Sequence, residues 1–557
     1  MGNRYNMLSM LEARTNEYAD RIALGIRTPL GWKEFSYKGL GLLSRKLASH
    51  LIMNVEVKKG ERCAILSESK PEYGAAVFAS IMAGMTVVPL DIKLTKYELT
   101  SILSDCEPSV MLVSQSYVQM ALDLQKEVPS IKNIFVIDEP SYNLGLKSIY
   151  EFPNIYDCKW RHRSSKSTAL IIYTSGTTGA PKGVEISFGN MFSQLDCLGD
   201  AVNVILPEKQ GTILSILPMN HLFEMTVGFS TFLNYGFSVY YTQSLKPKDI
   251  LGIMVDKKVN FMIVVPAFLK LLKAAIENEL KSQPKSVQYG FKLMYHLAKF
   301  LPFYGIKKML FKKIHDKFGG HFKGCISGGA PLDVEVGKFF ERIGIRCYQG
   351  YGLSETSPVV AVNMTKRWDM STVGKPLRGF EAKVDKESGE LLLRGGSVMK
   401  GYHNQPELTA QTIDEDGWLH TGDIARISLD GHLYITGRIK NMIVLSGGKK
   451  VFPEEVEAVI EKSDYVAEVC VLGVSRTFGS KDGTEEITAV IVPKENLYSN
   501  HTDEEVEQMV KDDVKSLMNH LTLYKRPTSI IVKKDPLPKT TTRKVKRNEV
   551  KKELVEV

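Results

Sequence analysis

Tyr173-Thr174-Ser175-Gly176-Thr177-Thr178-Gly179-Ala180-Pro181-Lys182-Gly183 is the stretch on which the reading of this 557-residue chain turns. The run before it, Ala169-Leu170-Ile171-Ile172, is apolar and reads as a buried strand. Glycines at 176, 179 and 183 permit positive φ and leave backbone N–H groups exposed. The hydroxyls of Thr174, Ser175, Thr177 and Thr178 and the ammonium of Lys182 add the donors that a polyphosphate needs. Because Gly183 follows Lys182 where Ser or Thr would be required, the spacing does not fit the Walker pattern. By composition alone, such a stretch is more often only a flexible loop. The weight therefore falls on what accompanies it.

Short apolar runs with helical patterns between them surround the loop. They include Ala64-Ile65-Leu66, Thr86-Val87-Val88-Pro89-Leu90, Val110-Met111-Leu112-Val113 and Ile134-Phe135-Val136-Ile137. Ile213 to Leu217 and Phe261 to Val265 continue the series. Alternation of this kind predicts α/β layers with largely buried strands. After about residue 375 the texture changes, and Ser388-Gly389 and Asp430-Gly431 sit between alternating segments as β-hairpin turns. A smaller α+β module follows, with helices from Pro453 to Glu461 and Asp503 to Leu521 and strands from Glu468 to Val474 and Ile487 to Val492. The expected architecture is a large multi-lobed N-terminal domain, α/β layers plus a β-rich part, over residues 1–437, with a small α+β C-terminal domain over 438–557.

At 43% hydrophobic and 24% charged the composition is that of a folded globular chain, not a disordered one. The seven cysteines are scattered without CxxC pairs, which argues against a zinc site or a disulfide framework and fits a reducing compartment. No apolar run has the length of a membrane span or signal peptide, so a cytoplasmic location is expected, with membrane association left open. The net charge of +9 suits an anionic cofactor, a membrane surface or an acidic carrier protein.

Five further segments follow the phosphate loop in order. Ser327-Gly328-Gly329-Ala330-Pro331-Leu332 could lay backbone flat against a purine, although a plain strand-end turn would read the same. In Tyr348-Gln349-Gly350-Tyr351-Gly352-Leu353-Ser354-Glu355-Thr356, Tyr351 can stack on a base and Ser354 can bond a phosphate oxygen. Glu355 can hold Mg²⁺ together with phosphate and water. Gly417-Trp418-Leu419-His420-Thr421-Gly422-Asp423 places a carboxylate suited to two ribose hydroxyls, though a turn aspartate beside glycine is common. Thr436-Gly437-Arg438-Ile439-Lys440 offers Arg438 for ribose or phosphate and runs on to Ser446-Gly447-Gly448-Lys449 and a Pro453-initiated helix. Last comes Pro538-Lys539-Thr540-Thr541-Thr542-Arg543-Lys544-Val545-Lys546-Arg547.

Chance occurrence of this ordered set is negligible. It resembles the adenylate-forming (AMP-binding) superfamily and is most similar to its long-chain fatty acyl-CoA synthetases. The resemblance implies a ligase that couples a fatty acid to AMP from ATP with Mg²⁺ and then passes the acyl group to CoA. It implies ATP contacts from Thr174, Ser175, Gly176, Thr177, Thr178, Gly179 and Lys182, from Gly329, Ala330 and Pro331, and from Tyr351, Gly352, Ser354, Asp423, Arg438 and Lys544. It assigns Glu355 to the metal, Lys544 to the carboxylate and α-phosphate, and His221 to a gate between acyl pocket and nucleotide. Lys440 matches a hinge for a mobile C-terminal lid, and Gly447 and Gly448 match the passage for the pantetheine arm. The chain departs from the family in carrying Ser354-Glu355 for the usual Thr-Glu, and Thr542-Arg543-Lys544 for the usual Ser-Gly-Lys.

Other readings share parts of this pattern. An acyl carrier protein could replace CoA as acceptor, and the basic 543–547 cluster suits either partner. A non-catalytic nucleotide-binding scaffold is countered by intact Lys182, Glu355, Asp423 and Lys544. Nucleic-acid binding is disfavoured, since no stacking motif accompanies the basic runs. The apolar run from Phe223 to Tyr241 favours an apolar acid over an amino acid. Between Lys285 and Lys323 nine lysines face a single acidic residue, Asp316. Leu293, Leu297 and Phe300 form one apolar row there, and Ile306, Leu310, Ile314 and Phe318 another at four-residue spacing. Such basic amphipathic helices either lie on an anionic membrane or bury the apolar row and show lysines to water. Oligomeric state is not readable from the sequence.

Overall fold

The computed structural model describes residues 7–141, 144–156, 158–174, 181–208, 210–364, 369–445, 449–475, 485–539 and 545–555. The chain divides into two compact units, the first comprising Met1–Glu381 and Leu393–Leu419, the second Ala382–Leu392 and His420–Val557. The fold is mixed α/β with a large N-terminal and a small C-terminal part.

Two sheets dominate the first unit. One has seven strands in the order Gly401–Tyr402, Lys182–Ser187, Thr168–Thr174, Thr86–Pro89, Arg62–Leu66, Val110–Val113, Asn133–Val136. The apolar runs read from the sequence form these strands, and Val110–Val113 and Thr86–Pro89 are buried along their whole length. Strands covered on both faces need no polar alternation, which is why the runs are continuous. The other sheet has nine strands, and its centre runs Arg346–Tyr351, Gly324–Ser327, Phe261–Val264, Thr212–Ser215, Ser238–Tyr241, all parallel. Helix Pro71–Met82 is buried on every side. Gly74 within it cannot carry a side chain, because a Cβ there would meet Leu24 Cδ1 at 2.7 Å and Phe229 Cε2 at 2.8 Å.

The expected hairpins form, with Gly389 at φ 77° and Gly431 at φ 86° in the left-handed region that glycine tolerates. Their strands, Phe380–Val384, Glu390–Gly395, Leu419–Ile427 and Leu433–Arg438, make a four-stranded sheet.

In the second unit, strands Val466–Ser475 and Glu485–Pro493 pair antiparallel, and Ser529–Val532 joins parallel to the latter. Side chains alternate between two cores. Val469, Val471, Ile487, Ala489 and Ile491 face helices Pro453–Ile460 and Asp503–Met518. Cys470, Leu472, Val490 and Val492 face Leu537 and Val550. Thr502 and Glu505 close a capping box on the longer helix, which buries Val506, Val510, Val514 and Met518 at a spacing of four. Pro453 opens the shorter one.

The basic segment departs from its expectation. Ile306 to Phe318 does not form one helix but two short ones, Tyr304–Leu310 and Lys312–Lys317, broken at the buried Phe311. Lys307 and His315, which lie within this basic run, are buried. Lys307 pairs with Glu341, and His315 Nε2 lies 2.8 Å from the Ile343 carbonyl. All seven cysteines are free thiols. Among the described residues, no helix is long and apolar enough to cross a membrane.

Candidate active site

Parallel strands bind ligands outside their carboxyl ends, where loops leave the sheet. In the nine-stranded sheet those ends deliver three predicted segments. Thr212–Ser215 leads to His221, Gly324–Ser327 to Gly328-Gly329-Ala330-Pro331, and Arg346–Tyr351 to Gly352 and the turn Ser354–Thr356 carrying Glu355. Gly329 stands at φ 80°, a conformation suited to glycine. Gly352 cannot be replaced, because a Cβ there would overlap the Pro358 carbonyl oxygen. The Thr356 hydroxyl braces this turn, accepting from Leu353 N–H at 2.9 Å and donating to the Pro358 carbonyl at 3.1 Å.

The phosphate loop joins strands Thr168–Thr174 and Lys182–Ser187, which pair antiparallel with Thr174 opposite Lys182. Ser175, Gly176, Thr177, Thr178 and Gly179 lie outside the described residues, while Thr174 and Lys182 mark the two ends of the loop. Gly183 has no room for a side chain, since a Cβ would meet Ile171 Cγ2 at 2.9 Å and His403 Cβ at 3.1 Å.

The link between this hairpin and Glu355 has no signature in the sequence. Strand Gly401–Tyr402 pairs with Lys182–Ser187, and the Tyr402 ring lies 5.7 Å from the Lys182 ammonium. The Tyr402 hydroxyl donates to Glu355 Oε1 at 2.8 Å, and Met399 N–H donates to the Glu355 carbonyl, also at 2.8 Å. Below them Glu185 accepts from Lys400 (2.8 Å), Thr168 (2.7 Å) and His403 (2.7 Å). The bond from His403 chiefly pulls the Glu185 carboxyl down to about 2 and raises the imidazole in return. Lys182 and Glu355 are thus held by one polar brace. Glu355 is one half-exposed carboxylate, and no cluster of three His, Cys, Asp or Glu side chains gathers among the described residues. A single carboxylate fits Mg²⁺ completed by phosphate oxygens and water, and does not fit an all-protein cage.

Beside these loops lies an apolar cavity. Leu198, Ala201, Val202 and Ile205 line it from helix Phe188–Ile205, Ile326 and Gly350 from the strands, and Phe223, Val227 and Thr231 from the segment after His221. Phe223 also covers Gly328, its Cζ standing 2.9 Å from where a Cβ would be. His221 is half-buried, donating its N–H to Pro218 O at 3.1 Å and accepting from Met225 N–H at 2.9 Å. Phe223, two residues beyond His221, lines the cavity and packs on the glycine loop.

Residues Glu224–Thr231 form a π-helix. The hydroxyls of Ser230 and Thr231 each donate to the carbonyl five residues back, Met225 and Thr226, at 2.7 Å. Glu224, at its start, is fully buried against Gly228, bonded to Ser215 through one oxygen and without a partner for the other. Burial pushes its carboxyl up to about 8, so it is protonated at neutral pH. The folded chain then holds a proton that the unfolded chain, with a carboxyl near 4.5, releases. The corresponding stability is fully present below pH 4.5 and lost as pH rises through about 8, amounting to several kcal/mol. Glu224→Gln is expected to flatten this dependence, differing little from the parent in thermal melts at acid pH and outlasting it above about pH 8.

In the second unit, Asp423 and Arg438 face each other across strands Leu419–Ile427 and Leu433–Arg438. Arg438 Nε donates to the buried Asp423 carboxylate at 2.6 Å. The two residues singled out for ribose are thus one ion pair. Lys440 sits on the 3₁₀ turn Ile439–Asn441 immediately after the second strand. Gly437 before it has no space for a side chain, since a Cβ there would stand 2.7 Å from Phe452 Cδ1. Gly447, Gly448 and Lys544 lie outside the described residues. Arg547, read from the sequence as part of a basic surface for CoA or a carrier, points inward instead. Its guanidinium makes two 2.6 Å bonds to Glu457 and a third, of 2.8 Å, to the Val471 carbonyl.

Comparison with known proteins accords with this geometry. The AMP-binding enzyme family matches residues 11–403 and the AMP-binding enzyme C-terminal domain matches 455–544. The chain belongs to the AMP-binding, or adenylate-forming, enzyme family. It is similar to a long-chain-fatty-acid–CoA ligase of Mycobacterium bovis, 28% identical over 77% of this chain and 73% of that one. A human long-chain-fatty-acid–CoA ligase is 27% identical over 85% and 70%, and the luciferin 4-monooxygenase of Photinus pyralis 29% over 89% and 84%. Among solved structures, the ATP-bound RpMatB-BxBclM chimera B1 superposes with TM-score 0.79 at 25% identity over 99% of this chain and 100% of that one. A Mycobacterium tuberculosis fatty acyl CoA synthetase shares the fold at TM-score 0.68 and 21% identity over 98% of each.

Proposed function

We propose that the chain is an AMP-forming fatty acid–CoA ligase acting on long acyl chains. The observation that carries this reading is the delivery of the Gly328-Gly329 and Tyr351–Glu355 loops by the carboxyl ends of neighbouring parallel strands, beside the apolar side chains of Leu198, Val202, Ile205, Phe223, Val227 and Ile326, which surround a void of about 30 Å³. An apolar tail that parts these side chains would bring its carboxylate toward a nucleotide held on those loops. ATP supplies an α-phosphorus that a carboxylate oxygen attacks as the bond to pyrophosphate breaks; the CoA thiol then displaces AMP. Thr174, Lys182 and the loop between them would hold the phosphates, Tyr351 the base, and Glu355 a Mg²⁺ ion that neutralises phosphate charge. Tyr402 would orient the Glu355 carboxylate. In this reading Asp423 and Arg438 serve the ribose, Lys544 the reacting phosphate, and Gly447 and Gly448 the pantetheine arm. Residues 438–557 form a lid turning about Lys440, a residue in a short turn where a backbone rotation disturbs no sheet pairing. The long-chain relatives support the choice of acid.

The test is pyrophosphate exchange into ATP across a series of fatty acids from short to long, followed by thioester formation with CoA and, separately, with phosphopantetheinylated carrier protein. Exchange rising with chain length and a thioester with CoA are expected. Exchange with no fatty acid would reject the substrate class. A thioester on the carrier alone would reject the acceptor.

A further inference from the structure

Helix Lys285–Ala298 is apolar on two faces, and only one of them meets the protein. Phe291, Met294, Tyr295 and Ala298 pack into the core beneath, with Phe291 against Phe311 (centroids 5.4 Å apart) and Tyr295 against Phe339 (5.9 Å). The other row stands in solvent. Tyr289 is 67% exposed, Leu293 64%, Leu297 54% and Phe300 78%, and Phe303 (66%) and Met309 (70%) continue it beyond the helix. At 100° per residue, Tyr289, Leu293 and Leu297 lie within about 80° of one another on the helix surface. Single exposed leucines need no explanation, but an unbroken row of this kind does.

The charge beside the row is of one sign. Along the same helix Lys285, Lys292 and His296 flank the apolar residues, with Lys299 at the helix end. All four are exposed, and among the described residues Lys285, Lys292 and Lys299 have no carboxylate within ion-pair distance. The segment's acidic residue, Asp316, is already paired with Lys312 at 2.6 Å. An apolar row with solvated cations along its border matches the layering of an anionic bilayer, acyl chains beneath phosphates.

We propose that this face lies on an anionic lipid surface, Leu293, Leu297, Phe300 and Phe303 entering the acyl region while Lys285, Lys292 and Lys299 contact headgroup phosphates. The inference does not depend on the proposed chemistry, because it uses only exposure and charge.

Sedimentation of the full chain with vesicles tests it, without ATP or acid so that failure here and failure of the ligase reading stay separate. Binding to phosphatidylcholine vesicles containing phosphatidylglycerol, weakened by salt and nearly absent for phosphatidylcholine alone, is expected. The triple variant Lys285→Glu, Lys292→Glu, Lys299→Glu should lose about a hundredfold in partitioning. Leu293→Gln with Leu297→Gln should lose at least about tenfold by removing the buried tails. The same charge change at exposed Lys93, Lys159 and Lys166 should leave binding intact. All these side chains are exposed, and unchanged thermal melts confirm folding. Absence of parent binding, equal binding to both vesicle types, or variants that bind like the parent would overturn the proposal. So would self-association of the parent that the glutamine variant abolishes while vesicles remain unbound, which would make the face a contact between copies.

Discussion

Lys544→Ala is expected to lower acid-dependent pyrophosphate exchange about a hundred- to a thousandfold while thioester formation from supplied acyl-adenylate falls far less. Under the proposed function, negative charge builds on the α-phosphate as the carboxylate approaches, and removing one preorganised donor from such a centre costs roughly 2.7–4 kcal/mol. The second half-reaction expels AMP and needs no cation at the entering carboxylate. The neighbouring Arg543, standing where the family usually has glycine, supplies an internal comparison. Arg543→Ala should cost much less, since proximity in sequence does not place a guanidinium on the reacting oxygen. Equal losses in both half-reactions for Lys544→Ala would refute the assignment.

Arg547→Leu is expected to destabilise the second unit by about 1–3 kcal/mol, the cost of leaving the part-buried Glu457 carboxylate without its charged partner. Two bonds from the guanidinium hold Glu457, which also accepts from Val471 N–H at 2.7 Å, so three donors converge on one carboxylate. Burial pushes that carboxyl up even with the guanidinium in place. For a unit of this size the loss corresponds to a fall in melting temperature of roughly 2–12 °C. A double variant, Arg547→Leu with Glu457→Leu, should recover most of it, because a pair replaced by apolar groups leaves no orphaned charge. If the double variant melts as low as the single one, the pair is not what holds helix Pro453–Ile460 to strand Val466–Ser475.

Sequence reasoning succeeds where burial leaves its mark on a continuous run and fails where the partner is distant. The strands are legible because Val110-Met111-Leu112-Val113 and its like are buried on both faces, and an unbroken apolar run has few other uses. Gly389 and Gly431 announce their hairpins because few residues but glycine accept those backbone angles. Arg547 is illegible because its partner lies 90 positions away, and a cation in a basic run looks solvated until Glu457 is set beside it. Tyr402 escapes notice for the same reason, being 47 positions from Glu355. The two apolar rows between Lys285 and Lys323 have the same periodicity, yet Phe318 goes inward and Leu297 outward. Periodicity finds a face; only the neighbouring elements decide which face is covered.

The wide turn at Glu224–Thr231 bears on how chains of this architecture come to accept different acids. Such a turn holds one residue more than an α-helical turn, so deleting a single residue would let the segment tighten and rotate Phe223, Val227 and Thr231 relative to one another. One codon gained or lost would then redraw the wall of the cavity at a stroke, where ordinary replacements alter it by a methylene at a time. Under the proposed function, substrate range in such chains can therefore change by register as well as by bulk.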